Sequence, residues 1–436
     1  MLPITKYLTK HHAALALITS YLILIPFRRA EIPMALMAVA GLVLMVRHRR
    51  ELWQRQEVVL FSLLFAAIWL PMAISLIGAV NPEKTLSTTA AFLRFYPAGI
   101  FVILTLAVAG APAKLLRILA WVLLIWVLDA LLQAVTGYNS LGYPQPGRVN
   151  GFFGSGIHFG MFMATLSPLL LVHAYRKWPL PAQIATLAGV ASVIFMSGTR
   201  GGWVSLAVVL GGLAVWVLWR EGVRASLPRL VVAVVVFGLV GAGTLYCFPQ
   251  FSDRVDKTML AFTGDTELLD KALSDRLPIW STGVKMIQAH PLNGVGARNF
   301  RYAYDEFAEP DDYWAGEGVT AAHAHQIVLD VASETGVVGL GGFLVVVWLL
   351  ARAWRRADPH TRQIMLPYAL ALLTVFFPLN SHYATYSTAW SSTYFWLLAL
   401  FCAVSAPPAK AAVTEADVAQ QRLAARQATT GKLFKA

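Results

Sequence analysis

The stretch Leu230-Val231-Val232-Ala233-Val234-Val235-Val236-Phe237-Gly238-Leu239-Val240-Gly241-Ala242-Gly243-Thr244-Leu245-Tyr246-Cys247 runs directly into Phe248-Pro249-Gln250-Phe251-Ser252-Asp253-Arg254. Its first part holds no charged residue. It is close to the length, about twenty apolar residues, that carries a helix across the hydrocarbon core of a bilayer. The second part opens a region, Gln250 to Ala322, with no apolar span. A membrane helix therefore ends where a long polar loop begins, and the next apolar span starts near His325.

Outward from that boundary, apolar runs recur over residues 13–27, 32–46, 58–79, 93–111, 115–136, 156–174, 179–197, 202–219, 325–351, 364–379 and 389–406. Composition agrees, with 57 % of residues hydrophobic and 13 % charged and a mean hydropathy of +0.61. Soluble domains have roughly a quarter of their residues charged, so this chain cannot cover itself with a water-compatible surface. The expectation is an all-α polytopic membrane protein with about 12 transmembrane helices. Residues 1–247 would hold helices one to nine, 248–324 a helical loop forming part of the site, 325–406 helices ten to twelve, and 407–436 a cytoplasmic tail rich in Ala and Gln.

The formal charge of +12 does not call for nucleic acid, because the basic residues follow the connectors. One alternating set of connectors, from Lys6 and Lys10 through Arg352, Arg355, Arg356 and Arg362 to the tail, holds 22 of the 35 Lys and Arg. The positive-inside rule makes that side cytoplasmic, with both termini on it and the long loop outside. Fourteen of the 23 acidic residues lie between Gln250 and Glu334. The only cysteines, Cys247 and Cys402, fall towards opposite faces and should not pair. The basic start and first apolar run lack a small-residue cleavage site before Pro26-Phe27-Arg28-Arg29 and read as a retained helix.

Polar residues at the outer face are the candidates for chemistry. Arg200, in Ser197-Gly198-Thr199-Arg200-Gly201-Gly202, sits on the side where a topology-setting arginine is not expected. Glycines at a helix start expose amide donors, and a guanidinium fork suits two phosphate oxygens. An interface anchor is the plainer alternative. Arg276 opens an amphipathic stretch that contains Trp280 and runs to about Ile287. It pairs either with a neighbouring acid such as Asp275 or with a second phosphate. The Gly-rich turn from His290 to Phe300 is weak evidence for phosphate without a preceding strand. His323 and His325 lie two apart, and no ligand set with metal spacing accompanies them. A neutral histidine where a helix enters the membrane can accept a proton. Asp129, inside an apolar span, is costly unless paired, and an interhelical Ser, Trp or Arg is its expected partner. The connector Gly137 to Gly154, which contains Arg148, suits an ordered turn more than a helix.

His325-Gln326-x-x-Leu329 followed by Glu334-x-Gly336-x-x-Gly339-Leu340, just after a long outer loop, resembles the signature of the O-antigen ligase and polymerase superfamily. The resemblance covers about residues 15–405. It implies a fold like that of C-type glycosyltransferases in the bacterial inner membrane. Arg200 and Arg276, the latter with Trp280, correspond to the arginines that hold a lipid-linked pyrophosphate, and His325 to the catalytic histidine. Arg148, Trp280, Gln326 and Asp129 are possible supporting residues. Arg148-Val149-Asn150-Gly151 resembles the family's arginine–glycine turn, with Ile157-His158 nearby instead of proline–asparagine.

The implied reaction moves O-antigen polysaccharide from undecaprenyl pyrophosphate to lipid A–core oligosaccharide at the periplasmic face. Inversion needs no metal and no cofactor, and the partners are the two lipid-linked substrates and membrane lipids. Three rivals remain: a repeat-unit polymerase with the same donor, a protein O-oligosaccharyltransferase and a transporter. A transporter would concentrate polar groups at mid-membrane, whereas this sequence concentrates them in the outer loop.

Overall fold

The computed structural model describes residues 11–145, 147–154, 158–316, 320–381 and 384–406. The expected tail, 407–436, lies outside them. The chain is helical throughout, beginning with α1 (His11–Leu24), α2 (Glu31–Leu52), α3 (Gln56–Ile74), α4 (Pro82–Phe92), α5 (Phe95–Leu106) and α6 (Ala111–Thr136). There follow α7 (Phe159–Lys177), α8 (Leu180–Met196), α9 (Arg200–Glu221) and α10 (Val223–Cys247). The long loop forms α11 (Pro249–Met259), α12 (Thr266–Leu273), α13 (Leu277–Ala289) and α14 (Phe300–Phe307). The chain closes with α15 (Ile327–Arg356), α16 (Pro359–Val375) and α17 (Thr388–Ala403). Among the described residues there is no β-sheet, only an isolated bridge between Tyr138 and Pro144.

Among the described residues, seven helical stretches are long and apolar enough to cross a membrane: α2, α3, α4 with α5, α6, α9, α10 and α15. The protein is thus an all-α, multi-pass membrane protein. The centre of the bundle is made of helices buried nearly all round. In α7 every residue from Phe159 to Ala174 is buried, and in α17 every residue from Trp390 to Cys402. In α5 only Tyr96 escapes burial. At the periphery α10 buries just Ser226 and Thr244, leaving Val231, Val234, Val235 and Leu239 exposed. A helix apolar on its outward face has lipid as its solvent. Polar side chains inside bond across helices, as Tyr21 does from α1 to Ser392 (3.0 Å) and Thr393 (2.9 Å) of α17.

Three local outcomes differ from the sequence reading. The connector 80–92 holds a helix, α4, because Asn81 caps it by accepting from Lys84 N (3.0 Å) and Pro82 occupies its first turn, a recognisable start signal. The span expected from His325 begins as a helix only at Ile327, where the Gln326 side chain caps it by accepting from Leu329 N (2.6 Å). His325 itself has φ 51, so it does not share a helical face with Leu329. The long helix α15 is also interrupted at Gly336 (φ 62, ψ −159), which adopts a conformation that side chains disfavour.

The loop helices have a small core of their own, formed by Ile279, Met286, Val295, Phe300, Ala303 and Tyr304, with Ala321 and Ala324. The Gly-rich turn fastens this unit to α15. Val295 N donates to Ser333 O (2.8 Å), Gly296 N to Glu334 O (3.0 Å), Val337 N to Pro291 O (2.9 Å) and Val338 N to Leu292 O (3.2 Å). The glycines of 290–300 therefore serve backbone docking against the interrupted helix.

Candidate active site

A cavity of about 750 Å³ lies where the start of α9, the loop helices, the start of α15, Ser381 and residues 384–390 meet. It gathers Arg148, Arg200, Arg276, Trp280, His325 and Gln326 along its wall. Asp129 is not among its lining residues; its Oδ1 accepts from Ser140 N (2.9 Å) and Oγ (2.5 Å). It thus braces the connector that carries Arg148, while its Oδ2 is buried without a partner. The partner is a serine, but one from a connector and not from a neighbouring helix.

Arg200 is set by close packing. A Cβ on Gly160 of α7 would lie 2.0 Å from Ser197 Oγ, so only a glycine lets the turn before α9 seat against α7. The guanidinium then reaches into the loop, donating to Ala272 O, to Ser274 Oγ (2.5 Å) and to Thr258 Oγ1 (3.3 Å). All three acceptors are uncharged. Arg276 makes a long contact with Ser381 O (3.4 Å). Burial, then the Arg200 charge, lowers its pKa to about 10, and it remains a cation at neutral pH. Among the described residues neither arginine has a carboxylate partner, which sets aside pairing of Arg276 with Asp275.

Sequence reasoning did not assign Arg254, Arg298, Arg301, His158 or His323 to the site, yet all five line the same cavity. None of its described lining residues is Asp or Glu. Burial, then the Arg254 charge, lowers the Arg148 pKa. Four of the five come from the outer loop, 250–324, and His158 from the start of α7; nothing in their local sequence separates them from other loop residues.

The histidines are held in the non-helical segment before α15, with His325 in the left-handed region. Trp280 Nε1 donates to Ala324 O (3.0 Å), and Ala324 N donates to Asp330 Oδ1 (3.3 Å). Their rings lie 3.8 Å apart, centroid to centroid. Burial, then His323, then Arg276, pushes His325 down to about 2, against a backbone hydrogen bond with Ser381. Burial, then Arg298, Arg276 and Arg301, pushes His323 down to about 3. Both rings are neutral at physiological pH, and His325 Nδ1 and His323 Nε2 are buried with no hydrogen-bond partner. A left-handed conformation at a non-glycine residue costs of order 1–3 kcal/mol and persists where the surroundings over-determine it. Gln326 completes the fixing, donating to Pro378 O (2.8 Å) while capping α15.

The arrangement can hold an anion between guanidinium groups and set an unprotonated imidazole beside it. Among the described residues, no group of three or more His, Cys, Asp or Glu side chains is placed to hold a metal ion. A separate cleft of about 430 Å³ among α7–α10 is almost wholly apolar and shares no residue with this cavity.

Comparison with known proteins bears on this region. A family model described as O-antigen ligase matches residues 184–344, an interval that contains Arg200, Arg276 and His325. An uncharacterised protein of Haemophilus influenzae is 25 % identical over 223 residues, 48 % of this chain and 52 % of that protein. The exopolysaccharide production protein ExoQ of Rhizobium meliloti is 24 % identical over 322 residues, 64 % of this chain and 67 % of that protein. The chain thus spans about half of the first relative and two thirds of the second. The chain is thus similar to the O-antigen ligase family over residues 184–344 and, more distantly, to an exopolysaccharide production protein over about two thirds of each chain.

Proposed function

We propose that the protein is a glycosyltransferase of the O-antigen ligase type, moving O-antigen polysaccharide from undecaprenyl pyrophosphate to lipid A–core at the periplasmic face of the inner membrane. The observation that carries this reading is the meeting of Arg200, Arg276 and His325, from three distant parts of the chain, on one cavity whose described lining has no carboxylate. In the reaction, the acceptor hydroxyl oxygen attacks the anomeric carbon and its bond to the pyrophosphate oxygen breaks. His325 takes the hydroxyl proton, and undecaprenyl pyrophosphate leaves with the bonding electrons. Attack from the face opposite the leaving group inverts the anomeric centre without a covalent enzyme intermediate or a metal. Arg200 and Arg276 would stabilise the charge that develops on the leaving group, the kind of preorganised electrostatic term that dominates many enzymes.

In this reading the chain crosses the membrane twelve times with both termini cytoplasmic. Residues 1–247 and 325–406 form the helical scaffold, 248–324 the periplasmic part of the site, and 407–436 a cytoplasmic tail. A repeat-unit polymerase is the second reading, favoured by the similarity to an exopolysaccharide production protein; it would use the same donor and a different acceptor. The lipopolysaccharide of a deletion strain separates the two. Ligase loss leaves bare core with full-length polymer retained on the lipid carrier. Core carrying a single repeat would overturn the ligase assignment in favour of the polymerase.

A further inference from the structure

The cationic lining exceeds what a lipid pyrophosphate calls for, since each phosphorus of that bridge carries one negative charge. The excess is spatially divided. Arg254 of α11 acts electrostatically on Arg148 and on Arg200 at the start of α9, and Arg276, acted on by Arg200 and acting on both histidines, lies between the two groups. Arg298 and Arg301 belong to the other side, where with Arg276 they are the main charges acting on His323. Like charges gathered in a partly buried cavity repel one another unless an anion offsets them.

The turn that presents Arg298 is built rigidly. Arg298 has φ 67, and its N–H donates to Glu334 Oε2 (2.7 Å) while Phe300 N donates to Oε1 (3.1 Å). The Asn299 side chain donates to Thr85 Oγ1 and Val295 O, both at 3.0 Å. Arg301 follows in the first turn of α14. Backbone held this firmly fixes the points from which the two arginine side chains start, so binding need order only the side chains. Beside them the buried His323 Nε2 has no partner, and the His325 ring lies 3.8 Å away.

We propose that Arg298, Arg301 and His323 form a subsite for an anionic substituent, a phosphate or a carboxylate, carried by the acceptor saccharide close to the hydroxyl that His325 deprotonates. This rests on the functional reading above, which assigns the α9 side to the donor and His325 to the acceptor. The neutral His323 ring supplies one hydrogen bond, and the two arginines supply charge and direction. The acceptor would thereby be chosen for its charge as well as for its sugar.

The test measures binding of lipid A–core to the full-length protein in lipid nanodiscs without donor, then transfer with donor added. Three forms of acceptor are compared: native, phosphatase-treated and carboxyl-amidated. For Arg301→Gln the expected result is a loss of roughly ten- to a hundredfold in affinity for native acceptor, with donor binding unchanged. The wild type should lose the same factor when the responsible anion is removed, and the variant should lose nothing further. Arg301→Lys should recover part of the loss, and Arg298→Gln should behave like Arg301→Gln. Phosphatase sensitivity would identify a phosphate, and amidation sensitivity a carboxylate. The proposal is overturned if both Gln variants bind native acceptor normally, if wild type is indifferent to both treatments, or if the variants lose donor binding instead. Charge-dependent acceptor binding by a wild type that performs no transfer would leave the subsite standing and remove the ligase reading.

Discussion

Asp330 and Glu334 lie one turn apart on α15, and each buried carboxyl group holds a different piece of the cavity wall. Asp330 accepts from Ala324 N (3.3 Å) and Thr385 N (2.8 Å), fixing the histidine segment to the loop before α17. Glu334 accepts from Arg298 N (2.7 Å) and Phe300 N (3.1 Å), fixing the arginine turn. A single helix face thus sets the spacing between the two halves of the site. Asp330→Ala would leave two buried N–H groups without their acceptor, at about 1–3 kcal/mol for each. The unfolding temperature in detergent should fall, and transfer should fall with it while donor binding survives. Normal stability and transfer in Asp330→Ala would show that the carboxylate does not hold the segment.

Gly336 gives a second structural prediction. A Cβ there would lie 2.3 Å from the Leu292 carbonyl carbon, and its φ of 62 disfavours any side chain. Gly336→Ala should loosen the docking of residues 290–300 and make them sensitive to limited proteolysis. Gly341 on the same helix has open space around it, so Gly341→Ala is the matched control. Equal protease resistance in both variants would contradict the docking account.

Much of this organisation was legible in the sequence, and what was not has a common cause. Apolar runs separated by charged connectors exposed the helices, because lipid permits little else. Arg200, Arg276 and His325 stood out as polar residues at the ends of apolar spans or within the outer loop. Asp330 gave no such signal, and Glu334 entered only as a residue of the resembling motif, without a role: their partners lie far away in the sequence or in an irregular segment, and a carboxyl group near a helix start reads as ordinary helix chemistry. Nothing in the sequence separates Arg298 and Arg301 from solvated loop charges; it is the fold that brings them to the cavity that His323 lines. The strain at His325 was hidden too, since the same residues would continue the helix if Gln326 did not cap it.

The histidine environment sets a pH dependence. With folded pKa values of about 3 for His323 and about 2 for His325 against an ordinary 6.5, the unfolded chain binds protons that the folded protein refuses. Stability from this source is complete above about pH 6.5 and falls as the pH drops towards the folded values. Acidification from pH 7.5 to 5 should lower the unfolding temperature of the wild type more than that of a His323→Gln/His325→Gln variant. An equal fall in both would show that the rings are not held neutral. An anion on Arg276 offsets one of the charges that depress His325, so donor binding should raise its basicity, a shift that histidine NMR with and without donor would detect.

The arginines make an asymmetric prediction. Arg200→Ala and Arg276→Ala should each weaken donor binding, with losses of about 2–5 kcal/mol for a desolvated charged contact. Lysine should rescue only part, because it restores charge without the fork. Arg200→Ala should also loosen residues 272–274, to which the guanidinium donates. Full rescue by lysine at both positions would mean that the fork geometry is irrelevant and that the site reads charge alone.

The central claim is that His325 is the proton acceptor while the arginines hold the donor. It is tested most directly by measuring donor binding and glycan transfer on one detergent-purified sample of His325→Ala, with folding checked by its unfolding temperature. Donor affinity close to wild type and no detectable transfer are expected. Near-normal transfer by a folded His325→Ala protein would contradict it.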